Sequence, residues 1–192
     1  MGKIDELACR GGDIRPNLWW RYRDDIVEVW THGEEKLWEF TDCINTLYPT
    51  IKFTLVFSDI SLNVLDLTLK LENGFITTDV YSKPTDSHLY LPFYSSHPAH
   101  CKRAVPYGVA LRLHRSCSSR DTRDERALEY KSYLRRQGYP SRLIEGKFSK
   151  AFNLERKELL KPNSSQQKKK IVPLVLDYNP RLPDIAKIIN KF

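Results

Sequence analysis

Two adjacent aspartates stand between two runs of strand composition, and no other feature of the sequence restricts the local fold as much. Leu18-Trp19-Trp20-Arg21-Tyr22 comes first, then Arg23-Asp24-Asp25, then Ile26-Val27-Glu28-Val29-Trp30. Aromatic and β-branched residues suit a half-buried pleated surface. The polar gap leaves no room for a helix, so the pattern predicts a tight hairpin with Asp24 and Asp25 at or beside its tip. Neighbouring carboxylates repel, and a fold tolerates them best at a solvent-facing turn or around a cation. Two readings follow: an ordinary exposed acidic turn, or carboxylates held rigidly for divalent cations, as two-metal phosphoryl transfer requires.

The following residues extend the pattern. Residues 3–10 are weakly helical and end at Gly11-Gly12. From Glu34 to Leu47, apolar residues at Leu37, Trp38, Phe40, Ile44 and Leu47 have helical spacing, with acids in the first turn and Pro49 as the stop. Residues 51–57 and 60–71 read as strands, and Asn73-Gly74 is a hairpin turn into a strand at 75–81. The expected fold of this part is α+β, one antiparallel sheet with a helix packed on it.

The character changes at Pro84. Residues 82–100 read as an irregular crossing segment, followed by helices over 106–117, 123–137 and 141–158. Gly138-Tyr139-Pro140 ends one helix and opens the next, which gives this part helix-turn-helix character. Residues 162–170 form a polar linker, and 171–192 hold a short extended run and a closing helix. The expected division is therefore 1–83, 84–161 and 162–192.

Charge divides the chain in the same place. Residues 1–96 hold 9 Lys+Arg against 15 Asp+Glu, net −6; residues 97–161 hold 16 against 7, net +9; residues 162–192 hold 6 against 2, net +4. A basic block behind an acidic one suggests a polyanion bound by the second half, or a basic surface that serves solubility. No apolar run reaches the ~20 residues of a membrane span. The opening residues lack a secretory core, and the four cysteines read as reduced thiols. An intracellular, nuclear protein is expected.

The hairpin motif and its neighbours bear a family resemblance. Trp19-Trp20-Arg21-Tyr22-Arg23-Asp24-Asp25-Ile26 followed by Trp30-Thr31-His32-Gly33-Glu34-Glu35-Lys36-Leu37 resembles the third palm motif of Penelope-like retroelement reverse transcriptases. Asn63-Val64-Leu65-Asp66, Lys83-Pro84-Thr85-Asp86, Ser96-His97-Pro98-Ala99-His100-Cys101 and Tyr178-Asn179-Pro180 are similar to that family in the same order. The resemblance implies RNA-templated DNA synthesis with Mg2+, an RNA template and DNA primer duplex as partners, and a palm followed by a helical thumb. It makes Asp24 and Asp25 catalytic metal ligands and Asn63, Val64 and Leu65 a primer grip. Lys52 would be a proton donor to the leaving pyrophosphate; buried strand packing and a solvent-facing lysine are the alternatives for these last two roles. Arg23 departs from the small or apolar residue more frequent there. Such a polymerase also needs an earlier palm aspartate and fingers, and 23 residues precede Asp24. The expectation is a truncated polymerase, inactive alone, with an exposed sheet edge prone to aggregation. Its alternatives are a helix-turn-helix nucleic-acid-binding protein and a relic fragment.

Within the basic block, the candidates for phosphate contact are Lys102, Arg103, Arg112, Arg115, Arg135, Arg136, Arg142 and Lys147. Tyr107, Tyr133 and Tyr139 are candidates for stacking. His97, His100, Cys101, His114 and Cys117 have zinc-like spacing. His114 and Cys117 fall within an expected helix, where packing or capping is the competing role.

Overall fold

The computed structural model describes residues 2, 4–6 and 14–161. The linker, the extended run at 171–176, the closing helix at 183–192, Cys9 and Tyr178-Asn179-Pro180 lie outside the described residues.

Strands β1 (Leu18–Tyr22) and β2 (Asp25–Val29) form the expected antiparallel hairpin, with Tyr22 opposite Asp25 and Trp20 opposite Val27. Its two-residue turn is Arg23-Asp24. Arg23 takes φ 57, a region that favours glycine, and Arg21 Nη1 donates to its carbonyl at 3.1 Å. Arg21 also grips Asp5 at 2.7 Å, tying the helical residues 4–6 to the strand. These hydrogen bonds, opposed by burial, hold the Asp5 carboxyl below its usual range.

Helix α1 (Glu34–Thr46) lies on one face of the hairpin. Trp19 and Trp30 meet Phe40 at centroid distances of 6.2 and 5.1 Å, and Leu37 and Ile44 are buried. The period-2 alternation leaves Leu18, Trp20 and Tyr22 exposed on the other face.

Two expectations about the sheet need correction. Residues 51–57 do not form a strand. Their strand composition finds no neighbouring strand; instead the Asn45 side-chain amide takes both backbone groups of Phe53, at 2.6 and 3.1 Å. The stretch 60–71 is not one strand but a hairpin, β3 (Ser61–Val64) and β4 (Leu67–Glu72), reversed at Leu65-Asp66 with Leu65 at φ 54. Leu65-Asp66 carries neither the glycine nor the asparagine that normally announces such a turn. β5 (Phe75–Val80) follows through Asn73-Gly74, where both residues have positive φ, as a type I′ turn demands. The described strands therefore make two sheets, β1-β2 and β3-β4-β5, rather than one.

The helical half contains α2 (Ala99–Ser116), α3 (Arg120–Arg136), α4 (Ser141–Phe152) and the short α5 (Arg156–Leu160). α2 starts earlier than expected: Pro98 opens it, and Pro106 sits inside it with a fully buried ring. An internal proline loses a helix hydrogen bond and normally marks a start or a kink, so the sequence placed the helix start there. The expected helix 141–158 is broken at 153–155, where His114 Nε2 meets the Leu154 carbonyl at 2.9 Å and Arg156 donates to the Arg115 carbonyl at 2.9 Å. Gly138 ends α3 with φ 82, which allows Tyr139 N–H to donate back to Leu134 at 3.2 Å.

Val109, Ala110 and Leu113 from α2 close one core with Ala127, Tyr130 and Leu134 from α3 and Ile144, Phe148 and Ala151 from α4; Val80 of β5 joins it. Thr78 exchanges hydrogen bonds with Ser116 and Ser118. Buried Asp79 receives Arg126 at 2.8 Å. Burial alone would raise the Asp79 carboxyl, but Arg126 and the Val80 N–H overcome it and leave it lowered. No helix among the described residues is long and apolar enough to cross a membrane.

Candidate nucleic-acid interface

The helix-turn-helix is α3, the Gln137-Gly138-Tyr139-Pro140 turn and α4, packed on α2. A strap from residues 89–98 crosses the turn. Phe93 N–H donates to the Gln137 carbonyl at 2.9 Å, the Tyr139 hydroxyl donates to the Leu91 carbonyl at 2.7 Å, and the space beside Gly138 is taken by Tyr94 and Phe93. Lys102 is part of this strap's anchoring, with Nζ on the Ser95 carbonyl at 2.7 Å and over the Phe93 ring.

The eight candidate cations divide by what already occupies them. Arg112 is half-buried and pairs with Asp66 at 3.4 Å. Arg135 shares Glu145 with Lys131. Arg136 lies over the Tyr133 ring, 5.8 Å from its centroid, and that ring stacks on His88 at 4.2 Å. Arg103, Arg115 and Arg142 are exposed, Lys147 is half-buried, and none of the four forms a salt bridge among the described residues.

Arg103 and Lys147 meet across an open groove of about 590 Å3 between α2 and α4, lined also by Ala99, His100, Ala104 and Tyr107. Lys150 joins them, its ammonium 5.7 Å from the Tyr107 centroid. The sequence reading missed Lys150 and His100 as members of this group. Their spacing on each helix was visible, but the pairing of α2 with α4 was not.

Two of the tyrosines proposed for stacking serve the fold instead. Tyr139 is buried beneath the strap, and burial raises its hydroxyl. Tyr133 is pushed up to about 12 by its hydrogen bond to Glu129.

The carboxylate hairpin is the second site to consider. Asp24 and Asp25 are exposed at the turn and the start of β2, on the rim of a cavity of about 550 Å3 that also borders Glu28, Phe40 and Lys52. Lys52 Nζ donates to the Asn45 carbonyl at 2.6 Å. Glu28 was not singled out from the sequence. Burial raises its carboxyl, and its Oε2 has no partner among the described residues.

Among the described residues no group of three His, Cys, Asp or Glu side chains could hold a metal ion. Magnesium needs a near-octahedral oxygen set at fixed positions. An exposed doublet with no third described carboxylate placed to share an ion with it does not fit a two-metal centre, and no chemical step follows from it. Of the primer-grip candidates, Asn63 accepts from Thr68 at 2.8 Å, Val64 is half-buried and Leu65 occupies the exposed turn.

The histidines and cysteines have separate duties. His114 is buried between the Leu154 carbonyl and Arg123. Cys117 caps α2 against Asp79, with burial pushing its thiol up to about 11. His97 contacts Ser95, and His100 contacts Cys101.

Residues 89–149 match the family model of the animal helix-turn-helix domain. A helix-turn-helix domain is present. The match begins at the strap and ends within α4, so the strap is part of the matched unit rather than a linker in front of it. No curated protein and no solved structure matches the chain.

Proposed function

We propose that the chain binds nucleic-acid duplexes through its helix-turn-helix half and holds them by their phosphates without reading sequence. The carrying observation is the trio Arg103, Lys147 and Lys150, which forms no salt bridge among the described residues and gathers between α2 and α4 on one rigid core. Lysine and arginine contacts to phosphate release counterions, so such binding is strong at low salt and falls steeply as salt rises.

The N-terminal half is, on this proposal, a piece of reverse-transcriptase palm of the Penelope-like class, and the helical half its thumb. What supports it is the resemblance of the residues around Asp24 and Asp25, together with the hairpin that carries both acids at its end. Magnesium remains the cation implied by that resemblance, and RNA template with DNA primer the implied partner. With two carboxylates at an exposed turn and, among the described residues, no third placed to share a metal ion with them, the chain alone binds without polymerising.

One experiment addresses both halves of the proposal. Filter binding should retain DNA duplex and RNA–DNA hybrid of unrelated sequences with affinities within about threefold of one another, the mark of backbone contact. Primer extension on an RNA template with magnesium should give no product. Strong preference for one DNA sequence would contradict backbone holding, and sustained nucleotide incorporation would overturn the inactive assignment.

A further inference from the structure

A helix-turn-helix offers a polyanion two faces. One is the turn face, where α3 and α4 meet. The other is the groove between α2 and α4. In this protein the two faces differ in charge, access and shape.

The turn face carries an acid of its own and is partly covered. Glu145 of α4 takes both Lys131 and Arg135, and Arg136 is held over Tyr133. Phe93 N–H donates to the Gln137 carbonyl of the turn, the Leu91 carbonyl accepts from the Tyr139 hydroxyl, and the side chain of Tyr94 lies 3.6 Å from the position a Cβ on Gly138 would take. Of the named turn cations, Arg136 and Arg142 form no salt bridge among the described residues, and they stand beside Glu145 and the strap rather than in an acid-free groove.

The groove has the opposite character. Arg103 and Lys147 line it, Lys150 stands over Tyr107 beside it, and His100 lies at its N-terminal end. Among the described residues no carboxylate lines it. Ala99 and Ala104 keep part of the wall low, so a phosphate chain can approach the helix backbones closely. Glu145 is turned to the α3 side of α4, where its lysine and arginine partners hold it. The acid of α4 and two of its cations, Lys147 and Lys150, thus belong to different faces of the same helix.

We infer that the phosphate backbone of the bound nucleic acid lies along the α2–α4 groove, gripped by Arg103, Lys147 and Lys150, and not against the turn between α3 and α4. This rests on the nucleic-acid-binding reading and adds the face to it.

The test uses the full chain and a fluorescein-labelled DNA duplex, followed by anisotropy across a salt series. Three proteins are compared: wild type, Arg103→Glu/Lys147→Glu, and Arg136→Glu/Arg142→Glu. Circular dichroism melting checks that each folds, and Arg103→Gln/Lys147→Gln replaces the first variant if charge reversal unfolds it. The groove variant should lose at least tenfold in affinity at low salt, and the magnitude of its salt slope should fall by about 2, as the loss of two phosphate contacts requires. The turn variant should stay within about threefold of wild type.

Equal losses in both variants, or a larger loss in the turn variant, would overturn the groove assignment while leaving nucleic-acid binding intact. A wild-type chain that binds no duplex at any salt would overturn the binding reading itself. Retention of a polyglutamate peptide by that non-binding wild type, lost in the groove variant, would reassign the groove to an acidic protein segment and likewise overturn the inference.

Discussion

The two halves of this protein solve the problem of burying apolar surface differently. In the helical half, Leu113, Leu134, Ile144, Phe148 and Ala151 are essentially inaccessible, at 1% exposure or less. In the hairpin half, α1 buries Leu37 and Ile44, while Trp20, Tyr22, Val56, Phe57 and Ile60 stay open to solvent. Fully removing a large apolar side chain from water stabilises by about 1.5–3 kcal/mol. The helices collect that gain many times and the hairpin seldom. A chain with one closed core and one open face has a rigid platform in the first and unsatisfied surface in the second. The basic groove sits on the platform and the carboxylate doublet on the open part, which is why binding and polymerisation separate in the proposed function.

This contrast can be broken by substitution. Phe148→Ala should cost about 3–4 kcal/mol in urea unfolding followed by helical circular dichroism, since the cavity opens where α2, α3 and α4 meet. Trp20→Ala, though it removes a larger side chain, should cost less, about 1 kcal/mol, because the residue is 55% exposed. A tryptophan variant as damaging as the phenylalanine variant would mean the open face is covered in solution.

The joint between the halves gives a smaller effect. Arg126→Ala leaves the buried Asp79 carboxylate without its guanidinium and should cost about 2 kcal/mol, a figure kept low because Arg126 itself is 41% exposed. The pH dependence has a definite sign. The Asp79 carboxyl is depressed below its ordinary 3.8, so its contribution is complete above the ordinary carboxylate range and is lost as pH falls through the depressed value. Wild type should therefore lose stability in that acid limb, and the variant should lose less of it; unfolding midpoints between pH 5 and pH 2 would show the difference.

Smaller again is Gly146→Ala on the outer face of α4. A Cβ there meets nothing within 4 Å, and alanine in a helix interior is worth about 0.5–1 kcal/mol over glycine. The expected outcome is a raised melting temperature with duplex affinity unchanged, because Gly146 does not line the groove. A large loss of affinity would bring the outer face of α4 into the contact.

Much of this was legible in the residues, and the failures have physical causes. The hairpin, α1, the Asn73-Gly74 turn and the helix–Gly-Tyr-Pro–helix junction were each announced by local chemistry: aromatic alternation, acids in a first turn, residues that accept positive φ. Residues 51–57 misled because strand composition describes a side-chain preference, whereas a strand needs a neighbour, and Asn45 supplies only a side-chain substitute for one. Leu65 misled because it adopts φ 54 with no glycine or asparagine to mark it. Pro106 misled because local rules read it as a helix start, while packing of its ring keeps it inside a longer helix.

Candidate cations were readable as a pool, but their division was not. Which of them are consumed depends on Asp66, Glu145 and the strap, each on a different element from the residue it engages, so the pairing follows from packing and not from local spacing. The resulting groove exists only once Arg103 and Lys147 are brought together by helix packing.

The central claim is that the helical half holds a phosphate backbone by charge. Its most direct measurement is the affinity of the full chain for a labelled duplex as sodium chloride is raised from about 50 to 200 mM, an interval over which phosphate-contact binding falls measurably. Engagement of Arg103, Lys147 and Lys150 predicts that log affinity falls linearly with log salt, with a slope of about −3. An affinity that stays level across that range would contradict the account.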